Sequence, residues 1–196
     1  RVKFHPYLRA SYEQDTVYTL KLHMPVMPSQ DFISSLPAGL FTQVAGMKTQ
    51  GNVGFDLDFE YNKNQPDSVR LRSRLHKDQF KIQEYGAADL SKLNREFVYR
   101  AWDNGQLQRP ITVGAANPMY TPLDQISPYM RNALLTTEDP SFFYHSGFSE
   151  EAFRQSIKQN IKTGRFVRGA STISMQLVKN VFLTREKTMG RKLEEI

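Results

Sequence analysis

Phe55-Asp56-Leu57-Asp58-Phe59-Glu60-Tyr61 sets an apolar side chain at every second position and a carboxylate between each pair. Side chains of a strand alternate between two faces, so this run predicts a strand with one apolar face and one wet face. Val69-Arg70-Leu71-Arg72-Ser73-Arg74-Leu75 repeats the period, with arginines where the first run has acids. Between them, Asn62-Lys63-Asn64-Gln65-Pro66-Asp67 is rich in turn formers and predicts a loop or hairpin connection. Upstream, Tyr18, Leu20, Leu22 and Met24 keep the same alternation, and downstream Phe80 and Ile82 predict a further short strand. Asp31 to Leu36 fits one short helical turn, and residues 88–99 fit a short helix or a strand equally well. Antiparallel pairing of the two central runs would face Arg70, Arg72 and Arg74 with Asp56, Asp58 and Glu60, which is mildly favourable. That reading of the arginine row is plainer than contact with nucleic acid.

The pattern then changes. Gly105, Pro110, Gly114, Pro118 and Pro122 break any regular period, which predicts an irregular linker. After Pro122 the apolar spacing becomes helical. Ser127-Pro128 is a helix start with a stripe of Ile126, Met130, Ala133 and Leu134. Ser149-Glu150-Glu151 opens a second helix, with acids at its positive end, and Thr163-Gly164 closes it. Ser171 is placed to cap a third helix, and Thr184 a fourth that carries Met189, Leu193 and Ile196. The expected class is therefore α+β: a β-rich domain over residues 1–103, a linker over 104–117 and a helical region over 118–196.

The bulk composition sets outer limits. The chain has 196 residues, 39% hydrophobic and 23% charged, which fits one large or two small globular domains. It holds no cysteine, so disulfides and thiolate zinc sites are excluded. No apolar run approaches the roughly 20 residues a membrane span needs. The first residue is Arg1 and Ile196 falls inside a helical pattern, so the sequence reads as a piece of a longer protein, with any membrane anchor outside it. The net charge of +6 points to anionic partners. Residues 150–192 hold ten Lys/Arg against three acids, more excess charge than the chain as a whole. Much of that is expected as a solvated helix face.

Three short strings carry chemistry. Glu138-Asp139-Pro140-Ser141-Phe142-Phe143-Tyr144-His145-Ser146-Gly147 begins at a helix end, before a loop rich in aromatics. Its apolar neighbours would partly desolvate Glu138, which suits a general base. Gly169-Ala170-Ser171-Thr172 leads into a helix, where small residues and free N–H groups favour an anionic ligand. Gln176 lies one turn beyond Thr172, and Lys179 about two turns beyond Ser171, so both can share a face with that loop. Arg191-Lys192 precedes Glu194-Glu195 in the third. Read singly, each string fits an ordinary cap, turn or salt-bridged helix face.

Taken together, in order and spacing, the strings resemble the first three motifs of the peptidoglycan glycosyltransferases, the family 51 transglycosylases. The first motif, Glu-Asp-x-x-Phe-x-x-His-x-Gly, agrees at each fixed position over residues 138–147. The second, close to Gly-Gly-Ser-Thr-Ile-Thr-Gln-Gln-x-x-Lys-Asn, agrees at Gly169, Ser171, Thr172, Ile173, Gln176, Lys179 and Asn180, and departs at Ala170, Ser174 and Met175. The third, Arg-Lys-x-x-Glu, falls on Arg191, Lys192 and Glu195. The resemblance spans residues 118–196 and implies the N-terminal part of a lysozyme-like helical lobe. It implies polymerisation of lipid II by inverting transfer to a sugar 4-hydroxyl, with loss of a lipid pyrophosphate. Glu138 and Glu195 would be catalytic. Ser171, Thr172, Gln176, Lys179, Arg191 and Lys192 would bind substrate, and Asp139, Phe142, His145, Gly147 and Gly169 would support the site. No organic cofactor and no protein-held metal are implied, although a divalent cation, Mg or Mn, fits a pyrophosphate substrate. The partners would be lipid II and the nascent glycan strand, at the bacterial cell envelope, with the membrane reached through parts outside this chain. The chain by itself would be inactive. Met175, which replaces an amide, leaves a rival reading: a non-catalytic envelope protein with a degenerate lobe that binds glycan or a partner. Nucleic acid is not an expected partner, because Glu138, Asp139, Glu194 and Glu195 would sit badly against phosphates.

Overall fold

The computed structural model describes residues 2–37, 39–103, 105–183 and 189–195; at 103 and 189–191 it describes the backbone only. Four strands form an antiparallel sheet in the order β1-β2-β3-β4: β1 (His5–Ser11), β2 (Val17–Pro28), β3 (Met47–Asn62) and β4 (Arg70–Tyr85). The β3–β4 register sets Asp56 opposite Arg74, Asp58 opposite Arg72 and Glu60 opposite Arg70. On the same wet face Lys21 lies 3.3 Å from Asp58, and Arg70 lies 3.7 Å from Glu60. Asp56 is held at 2.7 Å by both His23 and His76. Those two hydrogen bonds, His23 first, keep its carboxyl below the usual carboxylate range.

The apolar face collects Leu22, Met24, Val53, Phe55 and Leu75, and α1 (Ser29–Ser35) folds back over part of it with Phe32 and Ile33. Met24 and Val53 are buried there. Three polar bonds pin α1 to β3: the Ser29 hydroxyl donates to Thr49 Oγ1 at 3.0 Å, the Thr49 amide donates to Gln30 Oε1 at 2.8 Å, and Gln30 Nε2 donates to the Met47 carbonyl at 3.2 Å.

The separate short strand expected around Phe80 and Ile82 is instead the continuation of β4. The chain passes a bulge without leaving the sheet, and the register shifts between Gln50 and Asn52. Gly51 there has φ +85°, and a Cβ on it would lie 2.3 Å from the Gln79 carbonyl oxygen. Gln79 itself takes φ 48°. Alternation in sequence shows the strand on either side of such a kink, not the kink.

Residues 88–99 divide between a short 3₁₀ turn at Leu90–Leu93 and the start of β5 (Phe97–Asp103). The expected irregular linker, 104–117, holds β6 (Gln106–Val113), which pairs with β5 as a separate two-stranded sheet. Pro110 lies beside the register shift between Arg100 and Trp102, where a missing N–H costs the ladder least. That explains why the breakers did not prevent a strand.

Helices follow: α2 (Pro128–Glu138), α3 (Glu150–Thr163), α4 (Ile173–Val181) and α5 (Met189–Glu194). Pro128 sits in the first turn of α2 as expected, but the Ser127 side chain makes no capping bond. The stripe read on α2 is uncovered: Met130 and Leu134 are exposed, and no residue of the helix is buried. In α3, Ser149 Oγ caps the Ala152 amide at 3.2 Å, and Gly164 closes the helix in the left-handed region at φ 64°. The α4 cap is Thr172, not Ser171: Thr172 Oγ1 accepts from the Met175 amide at 3.2 Å. Thr184, the expected cap of the last helix, and Ile196 lie outside the described residues.

Candidate active site

The first two strings come together through one buried carboxylate. Asp139 follows the last residue of α2 and is only 4% exposed. His145 Nε2 reaches Asp139 Oδ1 at 3.0 Å and Oδ2 at 3.1 Å. The Gly147 amide donates to His145 Nδ1 at 3.1 Å, so that nitrogen carries no proton and Nε2 is the donor to Asp139. The Ser141 hydroxyl adds a second donor at 3.3 Å. The third comes from the other string: the Ile173 amide, first in α4, donates to Asp139 Oδ2 at 3.1 Å. An amide in a first helical turn has no partner within its own helix, so a carboxylate is well matched to it. Burial pushes the Asp139 carboxyl up. The bonds from His145, Ile173 and Ser141 outweigh that and hold it below its ordinary value.

Thr172 makes the second link. Its hydroxyl donates to the Gly147 carbonyl and accepts from the Met175 amide. Gly147 needs its φ of +105° to present that carbonyl while its amide reaches His145. Thr172 is 2% exposed. Thr172 was expected among the substrate-binding residues; its hydroxyl is engaged inside the protein, where it joins the two strings.

Two links at the start of α4 fix what lies one turn on. The Gln176 amide donates to Glu138 Oε2 at 3.0 Å. Glu138 is exposed, so the desolvation expected from the aromatic loop is absent; Phe143 and Tyr144 are themselves exposed. What singles Glu138 out is a side-chain amide fixing one oxygen while the other faces solvent. Lys179 lies one turn beyond Gln176, half-buried, and Ser171 and Gly169 edge the same loop. Phe142 packs edge-on to Phe143 and His145, with centroids at 5.3 and 6.4 Å. Met175 is 2% exposed and belongs to the interior of α4.

Glu195 closes the third string. Glu195 follows α5 and is buried, with Lys192 Nζ 3.5 Å from its carboxylate. The Arg191 side chain lies outside the described residues. The hydrogen bonds that knot strings one and two run through Asp139, His145, Gly147 and Thr172. Among the described residues, no group of three or more His, Cys, Asp and Glu is placed to hold a metal ion.

Sequence reasoning did not single out Ser149 and Ser141 as a pair. Their hydroxyls lie 3.2 Å apart and carry the α3 cap into the Asp139 network. The serine ahead of Glu150-Glu151 was the available signal, and it pointed only to a helix start.

Residues 104–196 match the family model described as Transglycosylase. The match begins at residue 104, earlier than the 118 expected from the strings. The chain is 42% identical over 89 residues to a biosynthetic peptidoglycan transglycosylase of Nitrosospira multiformis, covering 45% of this chain and 39% of that one. It is 46% identical over 76 residues to the protein of the same name from Chromobacterium violaceum, covering 39% and 33%. It is 42% identical over 84 residues to penicillin-binding protein 1A of Aquifex aeolicus, covering 43% of this chain and 12% of that protein. The chain thus spans well under half the length of these relatives. No solved structure matches it significantly.

Proposed function

We propose that this chain carries the first part of the active site of a bacterial peptidoglycan glycosyltransferase, at the start of a lysozyme-like lobe. The observation that carries the reading is the 3.0 Å bond between Gln176 and Glu138, held in place by the Asp139–Ile173 bond. With one oxygen engaged by Gln176, the other oxygen of Glu138 is free to take a proton. The acceptor is a sugar 4-hydroxyl of lipid II. As its proton passes to Glu138, the hydroxyl oxygen bonds to the anomeric carbon of the lipid-linked chain and inverts it. The bond from that carbon to the pyrophosphate oxygen breaks, and the electron pair leaves with the lipid pyrophosphate. Base assistance of this kind contributes on the order of a hundred- to ten-thousandfold. Lys179, Lys192 and Arg191 supply cations for the leaving group, and Ser171 offers a hydroxyl for sugar or phosphate oxygens. The envelope, with lipid II and the growing strand as partners, is the compartment this chemistry requires. No helix among the described residues is long and apolar enough to cross a membrane.

A divalent cation does not fit the donor set described. Glu195 has no exposed side-chain surface and a lysine at 3.5 Å, which is a poor cage for a doubly charged ion. No step is routed through one. The rival reading of a degenerate binding lobe drew on Met175, but that side chain is buried and so not among those that face a ligand.

Glu138→Gln tests the proposal in the longer protein to which this chain belongs. It should abolish lipid II polymerisation while circular dichroism and melting stay unchanged. Near wild-type turnover would remove Glu138 from the role of base.

A further inference from the structure

Polar bonds tie the β-rich front half to three points in or just beyond the strings. String one runs into α3, and Glu150 Oε2 accepts from the Ser73 amide at 2.7 Å and from the Ser73 hydroxyl at 3.1 Å. Ser73 lies on β4, the outer strand, whose outward N–H groups have no strand partner. String two ends at Asn180, and the next carbonyl, that of Val181, accepts from Lys92 Nζ at 3.4 Å. In string three, Glu194 Oε1 accepts from the Gln43 amide at 2.9 Å. The three anchors sit on β4, on the Leu90–Leu93 turn and on the loop after α1, well separated along the front half.

Three separated points fix orientation where one fixes only distance. The first anchor also leads inward. Glu150 follows Ser149, whose hydroxyl lies 3.2 Å from that of Ser141, which donates to Asp139. A displacement of Glu150 is thus transmitted to the carboxylate that holds strings one and two together. Farther along α3, Asp67 pairs with Lys158 at 2.7 Å and Lys162 at 2.8 Å, but these contacts do not lead into the knot.

We propose that the β-rich front half is a positioning platform for the transfer site, with Glu150, Lys92 and Glu194 as its positioning residues. The proposal rests on the site reading given above. It assigns a task to residues 1–103, which lie outside the family match.

The test uses the 196-residue chain and needs no turnover, so it fails or survives separately from the transfer chemistry. Two reporters of the knot are followed by NMR: hydrogen exchange at the Ile173 amide, and the two ring nitrogens of His145. Glu150→Ala should speed Ile173 exchange about tenfold, as expected for loss of one charged hydrogen bond, and should shift the His145 signals. Glu150→Gln keeps an acceptor oxygen for Ser73 and should restore both reporters. Asp67→Asn should leave both as in the parent. Unchanged reporters in Glu150→Ala would overturn the proposal. So would an equal response to Asp67→Asn, or a uniform rise in exchange through β2 and β3, because each would mean general docking.

Discussion

Asp139→Asn is the substitution with the most to say about this site. The carboxylate receives donors from His145, from the Ile173 amide and from Ser141, all within 3.3 Å. An amide of the same shape keeps one acceptor oxygen and turns an NH2 group toward a position where a donor already points. Either His145 Nε2–H or the Ile173 N–H is then left without a partner. A stranded buried donor costs about 1–3 kcal/mol. Removing the negative charge from the start of α4 adds about 0.3–1 kcal/mol. The sum, about 1–4 kcal/mol, is to be read from urea unfolding followed by circular dichroism. With a slope of about 1–3 kcal/mol per molar, the midpoint should fall by about 1 M. The loss should depend on pH with a fixed sign. The folded carboxyl titrates below its ordinary 3.8, so its contribution is complete above that pH and lost as pH falls through the folded value. The gap between parent and variant should therefore be constant from pH 7 to about pH 5 and narrow below about pH 3.8. Equal midpoints at pH 7, or a gap unchanged at pH 3, would refute the claim that an ionised Asp139 joins the two strings.

Thr172→Val keeps the shape but removes both the α4 cap and the bond to Gly147. It should cost about 1–2 kcal/mol in the same assay, with Thr172→Ser close to the parent. A neutral valine would mean that the hydroxyl holds nothing. Gly51→Ala forces a Cβ to within 2.3 Å of the Gln79 carbonyl at a φ of +85°. It should destabilise the four-stranded sheet by more than about 2 kcal/mol, seen as a lower melting temperature in the β signal. A melting point within a degree or two of the parent would show that the bulge can relax.

The sequence by itself determined the sheet's two faces. Period-two alternation at residues 55–61 and 69–75 fixes which side is wet, and opposite charge then sets the register of arginines against acids. It also carried the resemblance to transglycosylases, because three motifs in fixed order are chain-local patterns that need no folding to be read. Tertiary structure alone decided the rest. A bulge at Gly51 and Gln79 depends on two backbones meeting, and so does the strand that runs through Pro110. Thr172 and Ser171 are equally good caps by composition, and only the approach of the Gly147 carbonyl selects Thr172 and withdraws it from any ligand. Whether Glu138 is shielded depends on where aromatic rings settle, and Phe143 and Tyr144 settle into solvent. The bond from Glu150 to Ser73 spans 77 positions of chain, and no local period carries information over that distance.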